Sequence, residues 1–287
     1  MTDNLRMARA WHGLKKNLRS ALDGLGFVEM TTPVRSNGKL RECMELNLRS
    51  TLADGAPGVY EIGPCFRDDV PDKTHLSEFQ MLELFWTRPS FGQLTHLTHD
   101  LLEVSFGRSL GAFEEIDLAE LLPRRYSGFE YGMELDRLRS WAAKYLESKK
   151  LALCEHAYEI LNALVDQLVD DLAPGTPDRP AMVVNYPTET VCVAKPQDGH
   201  PERIQRAEFF IRGLEIAHGF VDDMDPARVE RRMLENGPGF FDKPFLELLA
   251  SGRLPASSGV GFGLDRLLML AQGIDDIRDC VIGRKTA

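Results

Sequence analysis

The fold is decided near the end of the chain, by a stretch that reads Ser257-Ser258-Gly259-Val260-Gly261-Phe262-Gly263-Leu264-Asp265-Arg266-Leu267-Leu268-Met269-Leu270. The pattern predicts a glycine-rich strand that runs directly into an apolar helix. Because glycine has no side chain, alternate glycines leave one face of the strand bare, and a flat ligand can lie against that backbone. Arg266 would lie in the first helical turn, where a guanidinium can reach a phosphate or stack on a base. A buried strand–helix joint with glycines for close packing explains the same pattern.

The composition is typical of a globular protein that has no general attraction for nucleic acid. Its 287 residues, 43% hydrophobic and 27% charged, suffice for one large or two small domains. The net charge of −10 excludes a global basic field, although a local basic patch is compatible with it. The five cysteines are scattered without metal-ligand spacing, which indicates a reducing compartment and predicts no zinc site. The sequence contains no signal peptide or long apolar run, so we expect a cytoplasmic location.

The first part of the chain predicts a helix, a strand and a second, shorter helix. Residues 4–25 carry apolar side chains at helical spacing. Residues 27–30 read as a strand that is closed by Pro33, which suits a sheet edge or an interface. Residues 44–53, which include Glu45, predict a short helix.

Two apolar strands, 59–67 and 78–86, are joined by a charged loop, which predicts an antiparallel hairpin. A long loop between well-formed strands is often functional. Glu78, Gln80 and Glu83 do not share one polar face, so at least one polar side chain should point inward. A surface position suits Glu78 better than Glu83. An inward Glu83 would need a partner or a cationic ligand, because burying an unpaired carboxylate is costly.

The second half of the chain predicts helices followed by another hairpin. Residues 91–110 and 133–172 have helical periodicity, and residues 181–194 read as a strand. Residues 208–222 predict a hairpin with Arg212-Gly213 at its turn.

Two acids, Glu208 and Glu215, would face each other across this second hairpin. Like-charged carboxylates repel unless a cation lies between them. Mg²⁺ together with a nucleotide phosphate is a natural occupant of such a position. Two exposed acids on an edge strand are the other explanation.

Arg67, the charged loop, Phe79, the paired acids and the terminal glycine-rich strand together outline an ATP site. The site differs from a P-loop or a Rossmann site, whose glycine motifs do not occur in the sequence. In this combination the chain resembles the catalytic domain of the class II aminoacyl-tRNA synthetases, of the lysyl/aspartyl-type subclass, over nearly its whole length. The family's three motifs are matched by residues 26–33, 60–85 and 259–270.

The resemblance implies an α+β fold with one antiparallel sheet of about six strands flanked by helices. It implies a single catalytic domain over residues 1–287, with a helical insertion at about 133–173 and no anticodon-binding domain. It also implies a homodimer, with Pro33 at the interface.

The resemblance further implies how ATP and the reacting carboxylate of the amino acid are held. Arg67 would bind the α-phosphate and that carboxylate, and Asp69 stands where the family usually has a glutamate that reads the adenine amino group. The other ligand-binding positions are Lys73 and His75 for the β- and γ-phosphates, Phe79 and Arg266 for the two faces of adenine, Gly261 and Gly263 for the bare strand, and Glu208 and Glu215 for Mg²⁺. These roles suit adenylate formation, which needs positioning and charge neutralisation rather than a covalent nucleophile.

Within the subclass the lysyl-type enzymes are the most similar, which implies a cationic amino acid. Glu45 lies where they read the α-amino group, and Glu83 and Asp222 lie where they read the side-chain ammonium. The other pocket positions and the family residues that they replace are Phe85 for tyrosine and His218 for asparagine, with Phe220 beside them and Asp222 itself in place of a glutamate. Lysine, β-lysine, ornithine and a modified lysine therefore stay open. The chain is also similar to pyrrolysyl-tRNA synthetases, but these lack an acid at the position of Glu83.

The acceptor of the activated amino acid stays open as well. There is no room before Met1 for the anticodon-binding barrel of a lysyl-tRNA synthetase, and the acidic chain has no basic arm. We therefore expect a freestanding paralogue, similar to the ligases that attach (R)-β-lysine to a lysine of elongation factor P, which carry a basic residue where Lys73 stands here. A biosynthetic carrier protein or small molecule, or a tRNA recognised only through its acceptor stem, is also compatible. An inactive regulatory paralogue is the non-enzyme alternative, favoured by Asp69 and by Thr74, where lysyl-tRNA synthetases have arginine.

Overall fold

The computed structural model of the protein describes residues 3–36, 38–68, 70–172 and 180–283. The chain divides into two compact units. The first comprises Met1–Gly111, Ile216–His218 and Ser257–Ala287, and the second comprises Ala112–Glu215 and Gly219–Ala256. Eight of the strands in the described residues belong to one large sheet, which helices flank. The predicted α+β class is confirmed.

The first unit contains the segments that carry the predicted nucleotide site. Its helices, numbered in chain order through the whole protein, are α1 (Asp3–Gly24), α2 (Glu45–Ala53), α3 (Phe91–Phe106) and α10 (Leu264–Gln272). Its strands are β1 (Val28–Glu29), β2 (Arg35–Ser36), β3 (Lys39–Leu40), β4 (Gly58–Phe66), β5 (Glu78–Trp86), β12 (Ser258–Gly263) and the middle of β11 (Leu214–Val221). The large sheet runs β1-β4-β5-β12-β11 in this unit, and β2 pairs with β3 in a separate ribbon.

Helix α1 forms because apolar residues recur on one of its faces. The buried members of this face are Met7, Leu14, Leu18 and Leu22. Their spacings of seven and four residues keep them on the same side of a helix. The helix ends at Gly24, and Gly26 follows with a φ of 80°, a left-handed conformation that favours glycine. The predicted helix over residues 4–25 is confirmed, although Leu25 is exposed.

Strands β4 and β5 form the predicted antiparallel hairpin, and its register brings two acids together. Glu61 lies opposite Glu83, and Cys65 lies opposite Phe79. Because directly paired residues share a face of the sheet, Glu61 and Glu83 are neighbours. Arg41 neutralises Glu61 through a salt bridge of 2.6 Å. No salt bridge to Glu83 occurs among the described residues, so this face holds one carboxyl group without a bonded cation.

Strand β12 lies beside β5 and gives the same face its glycines. Gly259, Gly261 and Gly263 pair with Phe85, Glu83 and Met81. The intervening residues, Val260 and Phe262, are buried on the opposite face. Strand β12 ends at Gly263 and α10 begins at Leu264. The predicted passage from a glycine-rich strand directly into an apolar helix is confirmed.

The second unit combines helices with the other half of the sheet. Its helices are α4 (Leu118–Arg125), α5 (Leu135–Ala142), α6 (Ser148–Ala152), α7 (Ala157–Leu172), α8 (Pro226–Glu235) and α9 (Lys243–Ala250). Its strands are β6 (Glu114–Asp117), β7 (Ala181–Val184), β8 (Pro196–Gln197), β9 (His200–Ile204), β10 (Arg206–Ile211) and the two ends of β11. The large sheet runs β11-β10-β7-β6 in this unit, and β8 pairs with β9 separately.

The predicted hairpin over residues 208–222 is present as β10 and β11. Its turn residues, Arg212 and Gly213, have φ values of 53° and 73°. Positive φ at both central positions is the type I′ turn, whose twist matches that of two-residue hairpins. Arg212-Gly213 is therefore the turn, as predicted.

The predicted helical stretch over residues 133–172 is interrupted, and three helices (α5, α6 and α7) replace it. Aromatic rings pack together where the helices are interrupted. Tyr126 lies edge to face with Tyr145 at 5.1 Å, and Trp141 lies tilted against the same ring at 5.0 Å, centroid to centroid. The predicted strand over residues 181–194 is also shorter, because Asn185 adopts a φ of 61° and ends β7 at Val184.

Counted over the described residues, the sheet has eight strands rather than about six. Two short strands, β1 and β6, pair in parallel with β4 and β7. The sequence of β6 is Glu-Glu-Ile-Asp, which lacks the apolar alternation by which strands are recognised. In the described part of the chain, no helix is long and apolar enough to cross a membrane.

Candidate active site

Arg67 follows β4 directly and lies beside Phe79. Its backbone N donates to the Ser77 O at 3.0 Å, which closes the base of the charged loop. Its guanidinium carbon lies 5.2 Å from the centroid of the Phe79 ring. The side chain is exposed, and within the described ranges no carboxylate forms a salt bridge with it. An exposed guanidinium held on a sheet face can bind an anionic ligand with two parallel hydrogen bonds.

The charged loop is organised by Asp72. Its Oδ1 accepts hydrogen bonds from the backbone N of Thr74 at 2.7 Å and of His75 at 2.8 Å. The Nδ1 of His75 lies 3.0 Å from the same oxygen. The Thr74 N–H, together with the His75 contacts, holds the pKa of Asp72 well below its usual range. Asp72 therefore fixes the orientation of the His75 ring.

The remaining loop residues differ in how far the structure describes them. Lys73 is exposed, and its carbonyl oxygen accepts a hydrogen bond of 2.9 Å from the Ile277 N. Asp69, predicted to read adenine, lies outside the described residues. The assignment of Asp69 therefore stays a prediction.

The start of α10 is bonded to the charged loop and to the beginning of the returning strand. The Arg266 Nε donates to the Thr74 O at 3.1 Å. The Asp265 Oδ2 accepts from the Gln80 N at 2.6 Å. Asp265 is only 5% exposed, and burial raises its pKa to about 6. Sequence reasoning named Arg266 but not Asp265, although the two are adjacent.

The glycines of β12 have two different structural roles. A Cβ at position 259 would lie 2.2 Å from the Phe85 ring, so Gly259 is required by packing. A Cβ at position 261 would lie 3.5 Å from the Glu83 Cγ, an ordinary contact. Gly261 therefore lets the β12 backbone lie close over the Met81 and Glu83 side chains, and a Cβ there would only reach contact with them. The predicted bare face exists at Gly261 and Gly263, and Phe85 covers it at Gly259.

Glu83 is the buried acid of this face, as its place in the alternation predicted. It is 3% exposed, whereas Glu78 on the same strand is exposed. Its Oε2 accepts a hydrogen bond of 2.5 Å from the Met44 N. Burial, and then the charge of Glu45, raise the pKa of Glu83 to about 8. A cation placed beside this carboxyl group would favour its ionised form.

Glu45, the first residue of α2, is paired with an arginine that sequence reasoning missed. Its Oε2 lies 2.7 Å from the Arg49 Nη1. The Arg49 guanidinium lies 4.3 Å from the centroid of the Phe85 ring and is buried. The spacing of four residues within a predicted helix was the available signal for this pair.

The structure divides the remaining predicted residues between the units. His218 belongs to the first unit, in the middle of β11, and is half-buried. Phe220 and Asp222 belong to the second unit and are 5% and 1% exposed. The next residue, Asp223, is bound by Arg228 at 2.6 Å and by Arg232, two residues of α8 that sequence reasoning also missed. These ion pairs hold the segment that contains Asp222.

The predicted magnesium ligands, Glu208 and Glu215, both lie in the second unit and are half-buried. The Glu208 Oε2 accepts a hydrogen bond of 2.6 Å from the Tyr186 hydroxyl, and its Oε1 forms a salt bridge with Arg206. Burial and then the charge of Glu208 raise the pKa of Tyr186, and Glu215 acts in the same direction. Both carboxylates therefore raise the pKa of the same buried hydroxyl group, that of Tyr186. A cationic side chain, Arg206, already lies beside Glu208.

The sheet, the glycine-rich strand entering a helix and the exposed arginine at the end of a hairpin strand define a class II synthetase-type catalytic unit. Residues 35–283 match the family described as tRNA synthetases class II (D, K and N). The chain therefore belongs to this family.

Several proteins to which the chain is similar are lysine–tRNA ligases. The chain is similar to the lysine–tRNA ligase of Saccharolobus solfataricus, at 27% identity over 97% of this chain and 64% of that protein. It is 28% identical to the lysine–tRNA ligase of Enterococcus faecalis, over 92% of this chain and 61% of the relative. It is 29% identical to that of Deinococcus radiodurans, over 92% and 58%. The chain thus spans about three fifths of the length of these relatives.

Proposed function

We propose that the protein uses ATP to activate a basic, lysine-like amino acid as an aminoacyl-adenylate. The observation that carries this proposal is the position of Arg67, exposed and without a salt bridge among the described residues, beside Phe79 and on the same sheet face as the buried Glu83. An anion-binding group, a ring that can stack on a base and a buried acid are the parts that the reaction needs side by side. Membership of the class II synthetase family supports the same reaction.

In the proposed reaction a carboxylate oxygen of the amino acid attacks the α-phosphorus of ATP. The bond to the bridging oxygen breaks, and pyrophosphate leaves with that electron pair. Arg67 would hold the α-phosphate and the attacking carboxylate in line, which lowers the barrier through positioning and charge. His75, oriented by Asp72, and Lys73 would bind the leaving phosphates.

Adenine would lie between Phe79 and Arg266. The contact of Arg266 with the Thr74 O and that of Asp265 with the Gln80 N support this arrangement, because both hold α10 against the hairpin. Gly261 and Gly263 would leave the backbone of β12 accessible from this side. Asp69 would read the adenine amino group.

Mg²⁺ would be held by Glu208 and Glu215. Their donor atoms suit it, since Mg²⁺ prefers carboxylate oxygens. Tyr186 and Arg206 hold the Glu208 carboxylate in one orientation. When bound, Mg²⁺ would neutralise negative charge on the phosphates.

The amino acid would be recognised by its two amino groups. Glu45, held by Arg49, would bind the α-ammonium group, and Glu83 would bind the side-chain ammonium together with Asp222. The pocket would be completed by Phe85, His218 and Phe220. Buried carboxylates favour a cationic side chain, and the similarity to lysine–tRNA ligases supports lysine or a close analogue.

For the acceptor we propose a protein lysine of the elongation factor P type or a biosynthetic carrier. The net charge of −10 supports an acceptor other than a polyanion. The alternative, a tRNA recognised through its acceptor stem, is supported by the relatives, which are lysine–tRNA ligases. We propose that the protein works as a homodimer in the cytoplasm. If the protein does not form an aminoacyl-adenylate, the alternative is an inactive regulatory paralogue.

The proposal is tested by amino-acid-dependent exchange of labelled pyrophosphate into ATP. The panel contains lysine, β-lysine, ornithine, arginine and neutral amino acids, each with Mg²⁺. Exchange with a basic amino acid is the expected result, and ATP binding without exchange for any of them would indicate an inactive paralogue. The activated amino acid is then offered to elongation factor P and to a tRNA transcript in parallel, and the labelled product identifies the acceptor.

A further inference from the structure

Three side chains with metal-ligating atoms converge where α2 begins. The Cys43 Sγ, a carboxylate oxygen of Glu45 and a carboxylate oxygen of Glu83 all lie within 4.8 Å of one another. The spacing of the cysteines could not predict this group, because it contains one cysteine and because Glu83 comes from a separate element, β5. The expectation that there is no zinc site rested on the odd number, the scatter and the spacing of the cysteines.

The surroundings of Glu83 favour a bound cation. In the described part of the chain the carboxyl group accepts one hydrogen bond, from the Met44 N to Oε2. Its Oε1 lies on the side of Gly261, at 3.8 Å from where a Cβ at that position would stand. Arg49 is bonded to Glu45, and Arg67 acts on Glu83 only at longer range. A carboxylate oxygen of this buried residue thus lies within 4.8 Å of the Cys43 Sγ, and no salt bridge among the described residues neutralises it.

We propose that Cys43, Glu45 and Glu83 form a binding site for a thiophilic divalent cation of the Zn²⁺ class. A thiolate and two carboxylates are ligands that Zn²⁺ accepts, and three protein ligands leave a fourth coordination position open. The ion binds the thiolate and both carboxylates, so the Cys43 thiol proton and the Glu83 carboxyl proton are released to solvent on binding. Cys43 is exposed as a residue, whereas Cys65, Cys154, Cys192 and Cys280 are buried. Burial of its thiol group, and then the charges of Glu45 and Glu83, raise the pKa of Cys43, as expected for a thiol that faces the two acids.

The site has a consequence for regulation, which rests on the proposed function. Glu45 and Glu83 are the acids assigned to the two amino groups of the substrate. A metal ion and a cationic amino acid therefore compete for the same carboxylates, and Zn²⁺ inhibits activation by raising the KM for the amino acid rather than by lowering kcat.

The site is tested by titrating the full chain with Co²⁺, a probe that accepts the ligands of Zn²⁺ and absorbs strongly when a thiolate is bound. The thiolate–cobalt absorption is expected in the unaltered protein and not in Cys43→Ser. Glu83→Gln is expected to weaken Co²⁺ binding by about 10-fold or more. Cys154→Ser and Glu42→Gln are the matched controls, a buried thiol and an exposed acid outside the cluster, and both keep the signal. Absence of the absorption at saturating Co²⁺, or equal affinity in Cys43→Ser, overturns the proposal.

Competition separates this inference from the proposed function. Lysine added to the cobalt-bound protein is expected to remove the absorption, and Zn²⁺ is expected to raise the KM for lysine in the unaltered protein but not in Cys43→Ser. Lysine that leaves the absorption unchanged contradicts the shared site. A Cys43-dependent cobalt signal without exchange for any amino acid means that the metal site stands and the proposed activity fails. Normal exchange without a cobalt signal means that the proposed activity stands and the metal site fails.

Discussion

The Asp265 Oδ2 accepts a 2.6 Å hydrogen bond from the backbone N of Gln80, which is 185 residues earlier in the chain. The contact joins the first turn of α10 to the strand residue that follows Phe79. Arg266, next to Asp265, is bonded to the loop at the Thr74 O. The two side chains proposed to sandwich adenine are therefore positioned by one helix end, and Asp265 acts on them without touching the nucleotide.

Replacing Asp265 with alanine tests this positioning. Asp265→Ala leaves the Gln80 N–H without its acceptor, which should cost about 1–3 kcal/mol of stability. It should also raise the KM for ATP by on the order of 10-fold or more, because small displacements of binding groups weaken activation. Asp265→Asn retains an acceptor oxygen and should restore most of the KM. Equal effects of both variants on the KM would contradict a positioning role.

Replacing Arg67 with alanine should abolish adenylate formation. Removing a preorganised charge at a reacting phosphate costs about 100–1000-fold in rate, and exchange measures the loss directly. The midpoint of thermal unfolding should be unchanged, because the side chain is exposed. Arg88→Ala, another exposed arginine beside β5, is the control and should retain exchange. Near-normal exchange in Arg67→Ala would contradict the assignment of the phosphate site.

Replacing Glu83 with glutamine should weaken the preference for basic amino acids. The change removes a charge-assisted hydrogen bond, worth about 1.5–3 kcal/mol. The measurement is the ratio of kcat/KM for lysine to that for a neutral amino acid in exchange. Glu78→Gln, an exposed position on the same strand, should leave the ratio unchanged. An unaltered ratio in Glu83→Gln would mean that the side-chain pocket lies elsewhere.

The raised pKa of Glu83 predicts how stability depends on pH. Burial raises this pKa from 4.5 to about 8, so the folded state binds the proton more tightly than the unfolded state. The stabilisation is fully present below pH 4.5 and is lost as the pH rises through about 8. Asp265, raised from 3.8 to about 6 by burial, contributes with the same sign over its own range.

The midpoint of thermal unfolding should therefore fall between about pH 5 and pH 8, and the fall should be smaller in Glu83→Gln, whose amide is neutral throughout. Thermal unfolding followed by circular dichroism at intervals of pH measures it. Glu78→Gln serves as the control with an unchanged slope. A slope in Glu83→Gln equal to that of the unaltered protein would show that Glu83 is ionised when folded.

Alanine at two glycines of β12 should affect different properties: stability at position 259 and the KM for the amino acid at position 261. Gly259→Ala places a Cβ 2.2 Å from the Phe85 ring, and overpacking of this kind costs about 1–3 kcal/mol. Gly261→Ala meets its neighbours at 3.4 Å or more, so the fold should tolerate it. The added methyl group would narrow the space over Glu83 and should raise the KM for the amino acid in exchange. Equal losses of stability in the two variants would contradict the division of roles.

Elements with strong local patterns were predictable. The helix over residues 4–25, the hairpin around the charged loop and the passage from β12 into α10 follow from apolar periodicity and from glycine and turn chemistry, which act within a few residues. The interruptions within residues 133–172 were missed because packing among Tyr126, Trp141 and Tyr145 overrides a continuous helical pattern. Strand β6 was missed because its polar sequence has no alternation to detect.

The candidate site was predictable in its residue types and less so in its contacts. Glu61 and Glu83 of the hairpin and Gly261 of β12 lie on one face of the sheet, because alternate residues of a strand point to the same side. The Glu45–Arg49 pair had a local signal in its helical spacing. The roles of Cys43 and Asp265 had none, because their partners, Glu83 and Gln80, come from other elements.

The sequence by itself predicted the hairpin and the glycine-rich strand, and it indicated that Glu83 suits an inward position better than Glu78, because alternation is a local consequence of backbone geometry. The tertiary structure decided the burial, the hydrogen bonds and the neighbouring charges of those residues. The proton on Glu83, the hydrogen bond between Asp265 and Gln80 and the approach of Cys43 to two carboxylates depend on distant segments. Those segments remove water and bring charges together, and the energy of an ionisable group depends on everything that surrounds it.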